Sequence, residues 1–226
     1  MRILIVAATS GEVAPVVHAL SGAGRAGVTV VGYTFASHDV DLLITGVGMV
    51  ATAAWCGRTL AERPYDLALN VGVCGSFDRE LSPGSVVHTV SDRIAELGAE
   101  DGGRFLSIEE LGLLDRDGRP YSGAEFVNAS PPGNSALATL PRVSGITVNT
   151  VHGNDESIAD VVRRFHPQVE TMEGAAFMYA CLMHGTPFAQ VRAVSNAVER
   201  RNRDAWRLPE AIDGLGAVVI RMLEAS

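Results

Sequence analysis

Basic residues are scarce in this 226-residue sequence: 18 Lys and Arg stand against 26 Asp and Glu, for a formal charge of −8. A nucleic-acid-binding surface needs excess positive charge to displace counterions from phosphates, so this balance argues against a nucleic-acid partner. Cysteine is also scarce. Cys56, Cys74 and Cys181 lie far apart and form no Cys-x-x-Cys or Cys/His cluster, which argues against a structural zinc site and favours buried free thiols.

Long apolar runs are absent as well. None reaches the ~20 residues that a membrane span needs. The opening segment, 1–12, has one basic residue and an apolar run too short for a secretory signal peptide. We therefore expect a cytoplasmic protein that has no membrane partner.

The sequence does contain enough apolar residues to build a core. Hydrophobic residues make up 47% and charged residues 19%, unlike the composition of disordered chains. Because we find no repeat, low-complexity tract or linker, we expect a single domain over 1–226. The 24 glycines exceed the usual ~7% and indicate tight turns and backbone held close to a ligand.

Hydrophobic periodicity predicts an α/β domain, because strand patterns alternate with helix patterns along the chain. Continuous apolar runs predict strands over Arg2–Ala8, Val28–Tyr33, Asp41–Val47, Leu67–Val73, Ser85–Val90, Gly145–Val151, Val169–Met172 and Phe188–Val194. Helical spacing predicts helices over Glu12–Leu20, Val50–Glu62, Ser157–Phe165, Ala175–His184 and Pro209–Glu224.

The stretch 100–135 lacks this periodicity. It contains turn-forming clusters such as Asp115–Gly118 and Ser130–Gly133. We expect an irregular excursion here. A substrate-side loop and a plain surface excursion both fit the pattern, since long irregular segments often carry function.

Residues with useful chemistry stand at the ends of four predicted strands. Taken one at a time, they fit ordinary roles, such as a first-turn helix acid, a helix cap or a turn glycine. Taken together, they mark the strand ends at which open α/β sheets bind ligands. The residues are Glu12, Gly72, Gly75, Glu173, Arg192, Ser195 and Asn196.

In this order, the four segments resemble the purine nucleoside phosphorylase/nucleosidase family over nearly the whole chain. The hydrolytic branch is most similar: the methylthioadenosine/S-adenosylhomocysteine nucleosidases and, more closely, the futalosine hydrolases of the alternative menaquinone pathway. The closer match rests on Val148–Asn154, Ser195–Asn202 and Ala95–Glu100. The resemblance implies a three-layer α/β domain with a mixed, partly barrel-like sheet flanked by helices, and a homodimer or larger homo-oligomer.

The resemblance also implies roles for individual residues in binding a small-molecule nucleoside, without a metal or cofactor. The catalytic residues would be Glu12, which activates the attacking water, and Asn196, which replaces the aspartate that meets the base in the adenine-specific relatives. The residues expected to bind substrate are Gly72, Gly75, Met172, Glu173, Arg192 and Ser195. The segment from Gly153 to Glu156 is expected to pass the base, and Arg104 and Phe105 are candidates for the 5′ pocket.

Elementary chemistry supports hydrolysis. One carboxylate can take a proton from water as it attacks C1′, and a second can bind the ribose hydroxyls near the developing cation. The Asn196 NH₂ can donate to O6 of hypoxanthine, and its oxygen can accept from a protonated N7. An amide is not an acid, so N7 would take its proton from water. We therefore predict a preference for 6-oxopurines.

The nucleophile is expected to be water rather than phosphate. The family's phosphorylases read Arg-Val-Gly where this sequence reads Asn70-Val71-Gly72, and the loop from Thr9 to Glu12 has no basic residue. A phosphate would therefore lack its arginine partners. Two alternatives stay open: a nucleosidase for methylthioadenosine, S-adenosylhomocysteine or aminodeoxyfutalosine, and a non-catalytic nucleoside-binding module. The module is disfavoured because Glu12 and Glu173 are both present.

Overall fold

A computed structural model describes residues 1–26 and 30–226, without the side chains of 21–26. Twelve strands lie in this part of the chain: β1 Arg2–Ala7, β2 Ser21–Ala26, β3 Val30–Phe35, β4 His38–Ile44, β5 Leu67–Ser76, β6 Val86–Asp92, β7 Gly98–Asp101, β8 Arg104–Ser107, β9 Phe126–Val127, β10 Arg142–Thr147, β11 Val169–Thr171 and β12 Phe188–Ala197. The helices are α1 Ala14–Ala19, α2 Met49–Glu62, α3 Ser135–Ala138, α4 Asp155–Phe165, α5 Gly174–His184 and α6 Leu208–Glu224, with a 3₁₀ turn over Arg203–Ala205.

One mixed sheet organises the molecule. Its strands follow the order β11-β10-β6-β12-β5-β1-β4-β3-β2, with β9 on β6. Strand β11 also pairs with β5, through Val169 opposite Ser76 and Glu170 opposite Gly75. This second pairing closes β5, β12, β6, β10 and β11 into a barrel. The expected α/β fold with a partly barrel-like sheet flanked by helices is confirmed.

Helices cover both faces of the sheet, which explains why its strands are continuous apolar runs. In β1, Ile3 and Ile5 belong to a core shared with α1 and α6. Leu4 and Val6 alternate with them and belong to a second core shared with α2 and α5. Each fully buried aliphatic side chain contributes about 1.5–3 kcal/mol, so both faces stabilise the fold.

Each predicted strand and helix has a counterpart, with shifted bounds. The strand predicted over Gly145–Val151 spans Arg142–Thr147 instead. The chain leaves the sheet there because the backbone N–H groups of Asn149 and Thr150 donate to the Glu96 carboxylate. The first helix begins at Ala14, after Glu12. Two residues of the strand predicted over Val28–Tyr33, 28 and 29, lie outside the described residues.

Several elements were not predicted: β2, β7, β8, β9 and α3. Strands β8 and β9 lie within the stretch predicted to be irregular, and turns and bends occupy most of the rest of that stretch. The described residues include no helix with the length and hydropathy of a transmembrane span.

The topology brings the candidate residues together. Strands β4, β1, β5 and β12 pair in parallel, in this order. Their carboxyl ends therefore lie at one edge of the sheet, where Glu12 follows β1, and where Gly72 and Asn196 lie in the carboxyl-terminal halves of β5 and β12.

Candidate active site

Glu12 is held after the end of β1 by three hydrogen bonds. The backbone N and the hydroxyl of Thr9 donate to its Oε2 over 2.9 and 3.0 Å, and the backbone N of Val73 donates to Oε1 over 3.2 Å. The side chain is buried. Because Glu12 precedes α1 and the first turn of that helix has no acidic residue, the interpretation as a first-turn helix acid is wrong. The carboxylate instead faces β5.

Gly72 makes room for two charged side chains. A Cβ at this position would lie 2.6 Å from Glu12 Oε1 and 2.6 Å from Arg192 Nη1, well inside van der Waals contact. Any larger residue here would force the carboxylate or the guanidinium to move away from β5. The sequence predicts close approach of a ligand to this glycine. In the structure, the side chains of Glu12 and Arg192 approach it closely.

Arg192 is buried at the centre of the site, with 1% of its surface exposed. Its Nε donates to Gln190 Oε1 over 3.1 Å, its Nη2 donates to Asn70 Oδ1, and its Nη1 lies 3.8 Å from Glu173 Oε2. A buried guanidinium is costly unless it is paired and hydrogen-bonded. The amides of Gln190 and Asn70 accept two of its hydrogen bonds but carry no charge. The carboxylates that balance its positive charge are Glu173 and the nearby Glu12.

A buried hydrogen-bonded chain continues behind Arg192. Gln190 Nε2 donates to Asp92 Oδ2 over 3.0 Å, and the Thr147 hydroxyl donates to Asp92 Oδ1 over 2.9 Å. Burial raises the pKa of Asp92 to about 6 in spite of these bonds. The Thr147 oxygen in turn accepts from a backbone N–H in the first turn of α5. The chain thus connects Arg192 to the helix that Glu173 precedes.

Glu173 stands at the residue before α5 but makes no side-chain capping bond there, so the interpretation as a helix-capping acid is wrong. Its Oε1 accepts from the backbone N of Gly48 over 3.0 Å. Among the described residues, Oε2 has only the longer contact with Arg192. That oxygen can therefore accept hydrogen bonds from a ligand. The neighbouring Met172 is half-buried.

Asn196 has its amide oriented by its neighbours. The Ser195 hydroxyl donates to Oδ1 over 2.7 Å and also lies 3.2 Å from the Cys74 carbonyl oxygen. Asn196 Nδ2 donates to the carbonyl oxygen of Ala197 over 2.8 Å. A Cβ on Gly75 would lie 2.8 Å from Val198 and 3.5 Å from Asn196 Nδ2. Gly75 therefore lets β5 approach this segment closely.

A cavity opens beside Asn196. It contains about 490 Å³ of empty space, including solvent at its mouth, and its lining includes Gly75, His152, Gly153, Glu170, Asn196 and Trp206. Of the segment expected to pass the base, Gly153 lines this cavity, whereas Glu156 lies in the first turn of α4. Sequence reasoning missed Glu170 and assigned no role to His152, although both stood inside the segments it singled out.

The two candidates for the 5′ pocket, Arg104 and Phe105, have different surroundings in the structure. Arg104 is exposed and pairs with Glu110 over 2.6 Å. Phe105 lines a second cavity that also adjoins His152, and the Arg164 guanidinium lies 4.2 Å from the centroid of its ring. The cation beside Phe105 is therefore Arg164 rather than Arg104.

The described residues contain no group of three or more His, Cys, Asp or Glu side chains placed to hold a metal ion. The three cysteines are free and buried. Burial raises the pKa of Cys56 and of Cys74 to about 12, so these thiols are chemically quiet. The polar chemistry of the site comes from carboxylates, amides and one guanidinium.

A helix-flanked sheet with a closed barrel, and a cavity lined by Asn196 and the buried Glu170, define an α/β protein that can hold a small polar ligand. The chain belongs to the phosphorylase superfamily, whose family model matches residues 2–224. It is 35% identical over 182 residues to a futalosine hydrolase of Streptomyces coelicolor, covering 77% of this chain and 74% of the relative. It is 33% identical over 216 residues to a futalosine hydrolase of Acidothermus cellulolyticus, covering 92% and 85%.

Solved structures show the same fold. A methylthioadenosine/S-adenosylhomocysteine nucleosidase of Colwellia psychrerythraea, crystallised with adenine, superimposes with a TM-score of 0.81 at 22% identity, covering 100% of this chain and 95% of that one.

Proposed function

We infer that this protein hydrolyses the N-glycosidic bond of futalosine, releasing hypoxanthine and dehypoxanthine futalosine in the alternative route to menaquinone. The futalosine hydrolases at 33–35% identity support this substrate. The observation that carries the reaction type is the meeting of Glu12 and Arg192 over Gly72, with Glu173 Oε2 3.8 Å from Arg192 Nη1.

Each of these side chains has a task in hydrolysis. Glu12 takes a proton from the water that attacks C1′. Glu173 accepts hydrogen bonds from the ribose hydroxyls, which fixes the sugar and adds negative potential near the developing ribosyl cation. Arg192 holds Glu173 in place and keeps two neighbouring carboxylates from repelling each other. Gly72 lies beside Glu12 and Arg192, so the sugar would sit over β5.

Charge balance favours water over phosphate as the nucleophile. Two carboxylates and one guanidinium meet at the site, and the guanidinium is already engaged by Asn70, Gln190 and Glu173. A phosphate dianion would meet net negative charge and would find no free cation among these residues.

The orientation of the Asn196 amide favours a 6-oxopurine. The Ala197 carbonyl accepts from Nδ2, and a reversed amide would bring two acceptors together. The second Nδ2–H is then available to O6 of hypoxanthine. A 6-amino group would instead bring a donor to a donor. Ser195 orients the Asn196 amide through its hydroxyl, and Gly75 leaves room for it beside β5.

The product assay that tests this function compares futalosine with aminodeoxyfutalosine, with and without phosphate. We expect free hypoxanthine from futalosine, detected by ultraviolet absorbance after chromatography, at a rate independent of phosphate. Release of a ribosyl phosphate would contradict hydrolysis. A higher kcat/KM on aminodeoxyfutalosine would instead identify an adenine-releasing nucleosidase, and binding without turnover would identify a non-catalytic module.

Substituting Asn196→Asp should shift base preference toward the 6-amino substrate. An ionised aspartate faces O6 acceptor to acceptor, and a mismatched buried group costs about 1–3 kcal/mol. The ratio of kcat/KM for futalosine to that for aminodeoxyfutalosine should therefore fall about tenfold or more. Asn202→Asp, in the same cavity lining, is the matched control for added charge. An unchanged ratio in Asn196→Asp would remove the base-reading role.

We also propose that the protein works as a cytoplasmic homo-oligomer, as the family resemblance implies, and that residues 1–226 form one domain. Exposed apolar side chains on the adjacent helices α2 and α5 support self-association. They are Val50, Tyr179 and Met183, which are 83%, 40% and 47% exposed.

A further inference from the structure

The cavity beside Asn196, where the proposed function would place the purine base, is lined by a histidine and a carboxylate that have no role in the mechanism above. His152 lines the cavity next to Asn196. The backbone N of His152 donates to Glu170 Oε1 over 3.0 Å, and its Nδ1 is hydrogen-bonded to Glu170 Oε2. Glu170 is 4% exposed and belongs to β11, the strand that closes the barrel. The pair is thus built into the framework of the site.

This arrangement fixes which imidazole atom can meet a ligand. Glu170 occupies the Nδ1 edge of the ring, and Phe77 packs against it edge-on, with centroids 6.3 Å apart. In the described part of the chain, Nε2 of His152 has no hydrogen-bond partner. A histidine whose Nδ1 is engaged by a carboxylate presents Nε2 in a set orientation, the arrangement that proton-transferring histidines use.

The leaving base needs such a donor. When the C1′–N9 bond breaks, its electron pair moves onto the purine, and departure is easier if N7 gains a proton. Asn196 is an amide and cannot supply that proton. Its Oδ1 is already engaged by Ser195, so the amide is suited to bind O6 through Nδ2.

More acidic than basic side chains line the two cavities that adjoin His152. The charged residues lining the cavities on its two sides, within the described chain, are Glu170, Glu199 and Arg201 on one side and Glu96, Glu100 and Arg164 on the other. Four carboxylates and two guanidinium groups therefore line these two cavities.

We propose that His152, oriented by Glu170, is the general acid that protonates N7 of the departing hypoxanthine. The proposal rests on the proposed function and adds a general acid to the general base Glu12. The imidazolium Nε2–H bond breaks as an N7–H bond forms. Water supplies the oxygen at C1′, and its proton passes to Glu12 and then to solvent. Solvent reprotonates the imidazole once the base has left, so the cycle consumes one water.

The test begins with His152→Asn, which retains an amide donor for Glu170 but has no Nε2. We expect kcat on futalosine to fall roughly 100- to 10,000-fold, with KM for futalosine little changed. Glu170→Gln should give a smaller loss in kcat, because the imidazole remains but its carboxylate partner is gone. His184→Asn, at the exposed end of α5, is the matched control and should leave kcat unchanged.

Chemical rescue separates catalysis from a structural role. His152→Ala should regain turnover when free imidazole is added, whereas Glu12→Ala should not. Circular dichroism and thermal unfolding establish that each variant is folded. Normal kcat in folded His152→Asn, a loss confined to KM, or the absence of rescue would each overturn the proposal. If the wild-type protein releases no hypoxanthine from futalosine, the proposed function fails instead, so the two failures are distinguishable.

Discussion

Glu12→Gln is expected to lose nearly all turnover while the protein stays folded and binds substrate. A glutamine cannot take the proton from the attacking water, and general bases typically contribute roughly 100- to 10,000-fold. The effect should fall on kcat, measured by hypoxanthine release from futalosine, and KM should change little. The loss should persist at every pH at which the protein is folded, because no ionisation restores a base at this position.

Because Glu12 also accepts structural hydrogen bonds, its substitution can affect stability as well as catalysis. Both carboxylate oxygens accept from backbone N–H groups, of Thr9 and of Val73. In the Gln variant one of these donors faces an NH₂ group, at a cost of about 1–3 kcal/mol, so thermal unfolding must be followed alongside activity. Glu210→Gln, on exposed surface of α6, removes the same charge away from the site. Near-normal turnover in a folded Glu12→Gln variant would reject the assignment.

The second large effect is rejection of 2′-deoxy substrates, which tests Glu173. A buried carboxylate that binds the ribose hydroxyls is left without its partner when a hydroxyl is missing. Sites built around such a bond discriminate by on the order of 10⁴-fold. We expect kcat/KM for 2′-deoxyfutalosine to fall by about that factor relative to futalosine.

Glu173→Gln should lower the ratio of kcat/KM for futalosine to kcat/KM for 2′-deoxyfutalosine, since an amide binds hydroxyls more weakly than a carboxylate does. It should also loosen the buried Arg192, whose Nη1 lies 3.8 Å from Glu173 Oε2. An Asn70→Ala variant gives the comparison, because it disturbs Arg192 while leaving Glu173 intact. Equal efficiency on ribose and 2′-deoxyribose substrates in the wild-type protein would remove the sugar-binding role from Glu173.

The buried Asp92 illustrates what lies beyond sequence reasoning. In the sequence it is one acid after an apolar segment. In the fold it is fully buried, bonded to Gln190 and Thr147, and part of the connection between Arg192 and α5. These two partners are 98 and 55 residues away along the chain. A local sequence pattern cannot predict hydrogen-bond partners that lie so far away along the chain.

The sequence by itself determined the α/β class, the approximate bounds of the main strands and helices, and the segments that contain the candidate site residues. Those features are local: β1 is apolar throughout because helices cover both of its faces, and a strand's end is marked where glycine and polar residues interrupt its run. The short strands β7, β8 and β9 were not predicted because they contain too few buried residues to form a hydrophobic pattern.

Only the tertiary structure decided which of these residues meet. Strand β11 pairs with both β10 and β5, and this closure brings Glu170 to His152. Parallel pairing of β1, β5 and β12 places Glu12 and Arg192 on either side of Gly72. These contacts depend on which strands become neighbours, and strand order follows from packing of the whole chain rather than from any one segment.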